Sequence, residues 1–308
     1  MKKKRKNNWL FLLLALIFIG AFLFDYFKPT DKPIEIQSQK EITYKTSPNK
    51  KESKLNNFIL YAGKPISKNY PNKIKILENK GFMVGYDEKR KNPAWAAYRV
   101  FSCEYKCNIG LKRSPKFFVD TRTTAEVKPS DYSKSNYDRG HLAPNHAIAT
   151  RYGRDAQYET FFMSNIVPQK ANLNREVWAD MEKEIADRYA DELEEVWVIV
   201  GPIYDDNVRD RFLTRNKIEI PDRFFAVVLD ELNNKPRTMA YIMPQKPPHN
   251  SLPRDFIVSV DEVEKQSGLD FFTELNDQIE EKAESQINDF SQPTIKSLAE
   301  SFKSASKF

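Results

Sequence analysis

Cysteine and histidine are scarce in this 308-residue chain, which has only Cys103 and Cys107, and His141, His146 and His249. Two cysteines exclude a disulfide-dense miniprotein and any four-cysteine zinc site, and three histidines leave the usual zinc ligand sets nearly out of reach. His141 and His146 do not form the H-E-x-x-H pattern that sets two zinc ligands on one helix face. There is also no internal repeat and no long mid-chain linker. One domain of roughly 200 to 250 residues with appendages therefore fits better than two equal domains or a solenoid. The chain does have apolar material for a core, since 40% of its residues are hydrophobic and 13% aromatic, too much for wholesale disorder.

The net charge of +6 is the sum of unlike parts. Residues 1–86 carry +11, residues 87–175 carry +7 and residues 176–308 carry −12. The N-terminus places five basic residues before the 16-residue uncharged run Trp9–Phe24. That run is longer than the apolar core of a cleaved signal and slightly short of the roughly 20 residues that span a bilayer. No small-residue cleavage site follows it, so the pattern favours an uncleaved signal anchor over secretion after cleavage. Residues 1–8 then form a cytoplasmic basic tip, 9–27 a transmembrane anchor and 28–56 a lysine-rich polar tether, with the rest outside the cytoplasm, periplasmic or extracellular. Residues 57–284 are expected to form the folded domain and 285–308 a frayed tail.

Within the domain, 196–204, 224–230 and 237–244 are short β-branched or aromatic runs bounded by turn formers, and read as strands. Asn233-Asn234 reads as the turn of a hairpin between the last two. Val177, Trp178, Met181, Ile185 and Tyr189 recur at spacings of three and four, which predicts an amphipathic helix over about 172–191. Strands grouped around one long helix without regular β-α alternation point to an α+β domain.

Chemistry-bearing residues concentrate in three places. Asp138-Arg139-Gly140-His141 packs an acid, a guanidinium, a glycine and an imidazole into four positions. Downstream come Ser164-Asn165-Ile166-Val167-Pro168-Gln169, then Asn174, Trp178 and Glu182, which fall on one helix face within an arc of about 80°. A histidine on a strand or turn can act as a general base, and a helix amide can offer oxygen to a hard divalent cation otherwise held by water and phosphate. Such a sparsely held cation suits phosphate chemistry. For His146, a plain strand or loop residue is the preferred reading. Cys103 and Cys107 are either a local disulfide or two free thiols.

DRGHLAP, SN-I-V-PQ and the N-x-x-x-W-x-x-x-E helix, with Gly63-Lys64-Pro65, Pro93-Ala94-Trp95, Tyr98 and Val200-Gly201-Pro202-Ile203-Tyr204 around them, resemble the DNA/RNA non-specific endonucleases, the ββα-metal nucleases that include endonuclease G. The resemblance spans about 190 residues, up to Pro244. It implies a central antiparallel sheet flanked by helices, with a ββα-metal finger as the active site. It also implies a phosphodiester hydrolase acting on DNA and RNA with Mg2+ (or Mn2+), and a homodimer in some relatives. By the same resemblance His141 is the general base, at an ordinary pKa near 6.5, Asn174 is the metal ligand, and Gln169 and Glu182 support the metal's water shell. Arg139 lies near the scissile phosphate, Asn165 positions His141, and Asp138 is structural. Arg113, Lys116 and Arg122 are rivals for the family's phosphate-contacting arginine. The family often carries a lysine after a later pair of aromatics, where this chain has Phe224-Phe225-Ala226. The alternative is a catalytically weak nucleic-acid binding or uptake protein at the membrane surface.

Overall fold

The computed structural model describes residues 56–68, 73–103, 107, 110–205, 211–213 and 216–290. The basic tip, the anchor segment and nearly all of the tether lie outside these. Among the described residues no helix is long and apolar enough to cross a membrane.

Seven strands form one antiparallel sheet. In chain order they are β1 (Ile74–Asn79), β2 (Phe82–Asp87), β3 (Asn92–Phe101), β6 (Glu195–Ile203), β7 (Arg223–Leu232), β8 (Lys235–Pro244) and β9 (Ile257–Val258). Their spatial order is β9-β8-β7-β6-β3-β2-β1. The central strands are apolar at almost every position because both faces are covered. Alternation sends Val196, Val198 and Val200 of β6 into one core with Phe224, Ala226 and Val228 of β7, while Ile199, Phe225 and Val227 enter the other. The expected turn joins β7 to β8: Leu232 pairs with Lys235, and Asn233 and Asn234 take left-handed φ of 54° and 58°. Asparagine tolerates such φ values, and they match the hairpin twist.

The three chemistry-bearing motifs lie on the chain's excursion between β3 and β6, which pair with each other, Phe101 opposite Glu195. The excursion contains β4 (Asp138–His141), α1 (Asn145–Tyr152), α2 (Arg154–Glu159) and β5 (Ile166–Gln169). It ends in a long helix, α3, built from Leu173–Val177, Trp178–Glu184, Ile185–Tyr189 and Ala190–Glu192. Its expected apolar stripe, Val177, Trp178, Met181, Ile185 and Tyr189, is buried against the sheet. The helix is not uniformly α, however. Leu173–Val177 and Ile185–Tyr189 are π-helical, and Glu176 breaks the run with φ −116° and ψ −108°. Asn174 and Glu182 therefore sit on either side of a kink, not on one ideal helical face.

The opposite face of the sheet is covered by α4 (Val260–Ser267), with α5 (Asp277–Ser285) beside it. Residues 286–290, expected to belong to the tail, are held. Asn288 donates to the Thr238 carbonyl, and Phe290 is buried edge-on to Tyr189. Cys103 and Cys107 form a disulfide just past the end of β3. His146 lies on α1, not on a strand or loop, and its Nε2 is 2.8 Å from Asp187 Oδ1.

Candidate active site

The hairpin of β4 and β5 carries the first two motifs. Its register sets Asp138 opposite Gln169, Arg139 opposite Pro168, Gly140 opposite Val167 and His141 opposite Ile166. Glycine is required at position 140 by its neighbour: a Cβ there would lie 2.0 Å from Gln169 Oε1. Gln169 is fully buried, and neither of its amide atoms has a hydrogen-bond partner.

His141 ends β4 with its ring packed against Phe117 and Phe161, at centroid distances of 5.5 and 5.1 Å, and the two phenyl rings touch each other at 5.4 Å. Its Nε2 is enclosed and unpartnered. Burial, and then the positive charge of Arg113, push its pKa down from 6.5 to about 3. The ordinary value expected from the sequence is thus corrected: the aromatic pocket disfavours the charged imidazolium. Arg113 is exposed, with its guanidinium 5.5 Å from the Phe161 ring centroid. The same charge acts on Glu182, whose Oε1 accepts from Trp178 Nε1 at 3.0 Å. Burial dominates at Glu182 and pushes its pKa up to about 8.

Arg139 stands two residues before His141, so strand alternation turns both to one side. Its guanidinium donates to the Pro129 carbonyl and lies 5.4 Å from the Phe117 centroid. Asn165 is spent entirely on backbone. Its Oδ1 accepts from Ala143 N, and its Nδ2 donates to the Ala143 and Thr160 carbonyls. It pins the chain two residues beyond His141 and is a positioning residue, with no polar atom left for a reacting group.

Asn174 Nδ2 donates to Asp138 Oδ2 at 3.2 Å, and Arg175 grips both oxygens of the same carboxylate. Arg175, and then Asn174, hold the Asp138 pKa low. The bond also fixes the Asn174 amide with Oδ1 free of protein donors. Among the described residues, the hydrogen bonds of this cluster do not extend to His141, Arg113 or Glu182. The two are linked along the chain: Asp138 and His141 share β4, and Asn174 and Glu182 share α3.

The three rival cations differ in what they touch. Arg122 is committed to Asp120, to the Glu78 carbonyl and to Asn79 Oδ1. Lys116 is exposed on the turn made by Ser114 and makes no ion pair among the described residues. Arg113 alone has its charge felt at both His141 and Glu182. Sequence reasoning missed the aromatic walls Phe117 and Phe161, for which the Phe-Phe pairs at 117–118 and 161–162 were the available signal.

A family model described as DNA/RNA non-specific endonuclease matches residues 63–278. The chain belongs to that family. Nuclease 1, mitochondrial, of Schizosaccharomyces pombe is 28% identical over 217 residues, covering 64% of this chain and 66% of that protein. Nuclease EXOG, mitochondrial, of Danio rerio is 28% identical over 215 residues, covering 64% of this chain and 60% of that protein. The chain thus matches about two thirds or less of the length of these relatives. A solved structure titled as the EndoG/EndoGI complex shares the fold, with a TM-score of 0.62 and 24% identity, covering 74% of this chain and 95% of that one. The β4–β5 hairpin followed by α3 is the ββα finger of this endonuclease family.

The family's metal is tested by the donors present. Asn174 Oδ1, the partnerless Gln169 amide and the Glu182 carboxyl, whose pKa burial raises to about 8, are hard oxygen donors of the kind that suits Mg2+. Among the described residues no three His, Cys, Asp or Glu side chains converge as a metal site. The residues therefore fit a cation held by few protein oxygens and completed by water and phosphate.

Proposed function

We propose that this chain is a metal-dependent endonuclease that hydrolyses phosphodiester bonds of DNA and RNA and works outside the cytoplasm, tethered through residues 9–27. The observation that carries the reading is His141, neutral, packed against two aromatic rings, its enclosed Nε2 without a protein partner and within reach of the Arg113 charge. A neutral Nε2 with no protein partner is free to accept the proton of a water attacking phosphorus. Arg113 is the cation best placed to meet the phosphate's negative charge, and Arg139 supports the same side of the hairpin. A phosphate bound at Arg113 opposes that residue's effect on His141 and makes the ring more basic as substrate binds. Asn174, aimed by Asp138, and the Gln169 and Glu182 side chains would hold a divalent cation and its waters. When bound, that cation supplies charge stabilisation to the phosphoryl oxygens and the leaving group. None of these groups recognises a base, in keeping with phosphate-directed binding that carries no sequence information. The Cys103–Cys107 disulfide supports an oxidising, exported location.

The full-length chain in detergent should degrade supercoiled plasmid and RNA with Mg2+ and stop when the metal is chelated. His141→Ala and Asn174→Ala should each lose at least about 10²-fold in cleavage while keeping fold and DNA affinity. Wild-type turnover by a folded His141→Ala protein would sink the mechanism. DNA binding by a wild-type protein that fails to cleave whichever divalent metal is supplied would leave a binding protein in its place.

A further inference from the structure

A cavity of about 270 Å³ lies beside the finger and is used by nothing described so far. Its walls come from the two segments that supply the site. Asn145 and Ala149 belong to α1, which starts four residues after His141, and Gly110 and Leu111 lead directly into Arg113. Gln157 of α2 completes the inner wall and is only 4% exposed, yet its Nε2 has no hydrogen-bond partner. Asn145 Oδ1, in the same cavity, is likewise enclosed and unpartnered. Of the other buried amides here, all of Asn165 is bonded and Gln245 bonds Lys170 N and the Pro168 and Pro221 carbonyls, while Gln169, unpartnered, belongs to the site already described. Buried polar groups are ordinarily satisfied, so two residues of one cavity wall that each keep an orphaned amide atom point to a ligand.

The walls indicate its shape and chemistry. Leu111, Ala149 and the Cys103–Cys107 disulfide offer apolar surface, as the faces of a flat ring require, and the amides offer a donor and an acceptor for its edge. We propose that this cavity takes a nucleobase of the strand being cut, adjacent to the scissile phosphate, a proposal that rests on the nuclease reading above. Every nucleobase carries a neighbouring donor and acceptor on its Watson–Crick edge, so the Gln157–Asn145 pair recognises that a base is present without selecting which one. Such a base must be unstacked, so single strands, loops and ends enter more readily than intact duplex.

The test uses full-length protein in detergent with divalent metal chelated. Binding is read by fluorescence anisotropy on a single-stranded oligothymidylate and on an all-abasic strand with the same number of phosphates. Wild type should bind the base-bearing strand about tenfold more tightly, the order expected for one well-held base. Gln157→Leu and Asn145→Ala should lose most of that increment and keep the abasic affinity. Gln157→Leu should melt no lower than wild type, because it removes a buried unpartnered amide. Asn145, half-exposed, decides the matter alone if Gln157→Leu does not fold. The proposal is overturned if both folded variants keep the base-dependent increment, or if both weaken abasic and base-bearing strands equally. If the substitutions weaken a free mononucleotide but neither strand, the cavity belongs to a free nucleotide and the placement in the cut strand is wrong. A wild-type protein that cleaves nothing would defeat the nuclease reading alone, since the base-dependent increment is measured without cleavage.

Discussion

At the scale of single residues, two titrating groups move in opposite directions for one cause. Burial disfavours charge, so His141 falls from 6.5 to about 3 and Glu182 rises from 4.5 to about 8. For His141 the unfolded chain binds more protons between those two pH values, so its contribution to stability is present above pH 6.5 and lost as pH falls toward 3. For Glu182 the folded chain binds more, so its contribution is present below pH 4.5 and lost as pH rises through 8. Below pH 6.5 the two contributions oppose each other, so metal-free melts of wild type should decline between pH 6.5 and pH 8, and Glu182→Gln, which never ionises, should decline less. Equal slopes for the two proteins would mean that the Glu182 carboxyl is not buried as described. The kinetic counterpart concerns His141. The acid limb of kcat/KM reports the free enzyme and should lie well below pH 6.5, whereas the limb of kcat, measured with phosphate bound, should lie higher. A kcat/KM limb at or above 6.5 would contradict a buried, neutral base.

At the scale of elements, the β4–β5 hairpin depends on an absent side chain. Gln169 occupies the space a Cβ on residue 140 would need and is itself fully buried, so it has nowhere to retreat. Gly140→Ala should cost about 1–3 kcal/mol of stability through overpacking. Adding Gln169→Ala should recover much of that loss in a melt without restoring cleavage, because the two residues touch and their effects are coupled. Simple additivity of the two losses would show that they do not share the space. The same hairpin shows what sequence can and cannot convey. The tetrapeptide Asp138–His141, the three-and-four spacing from Val177 to Tyr189 and the strand runs of β6 to β8 are periodic or local signals, and each was legible. The first half of the sheet was not. The edge strand β1 intersperses Lys75 and Glu78 with apolar residues, and Gly85 and Pro93 interrupt β2 and β3 as turn formers would. Gly85 makes sense only with Trp95 in place, since a Cβ there would lie 2.3 Å from the indole. The backbone clamp by Asn165 and the kink at Glu176 are likewise products of tertiary contact.

At the scale of the whole molecule, the charge asymmetry of the chain acquires a direction. The part of the excursion before α3, with the β4–β5 hairpin, lies on one face of the sheet within the +7 segment, whereas most of α3 belongs to the −12 segment, as does α4, which covers the other face with Asp261, Glu262 and Glu264. The hairpin side is therefore the one a polyanion should approach. Pairing refines which cations count. Arg122 is neutralised by Asp120 at 2.7 Å and Arg175 by Asp138 at 2.7 Å, whereas Lys112, Arg113 and Lys116 are exposed and form no ion pair among the described residues. With metal omitted, each neutralised phosphate releases counterions, and the slope of log affinity against log salt should be about −2 to −4. Arg113→Ala and Lys116→Ala should each make it shallower by about one unit. Arg122→Ala should change it far less, because its charge is already met inside the protein. Arg254→Ala and Lys265→Ala, in the acidic half, should leave it unchanged. A slope near zero, or equal flattening by Arg122→Ala and Arg113→Ala, would place the nucleic acid on some other surface and remove Arg113 from the phosphate.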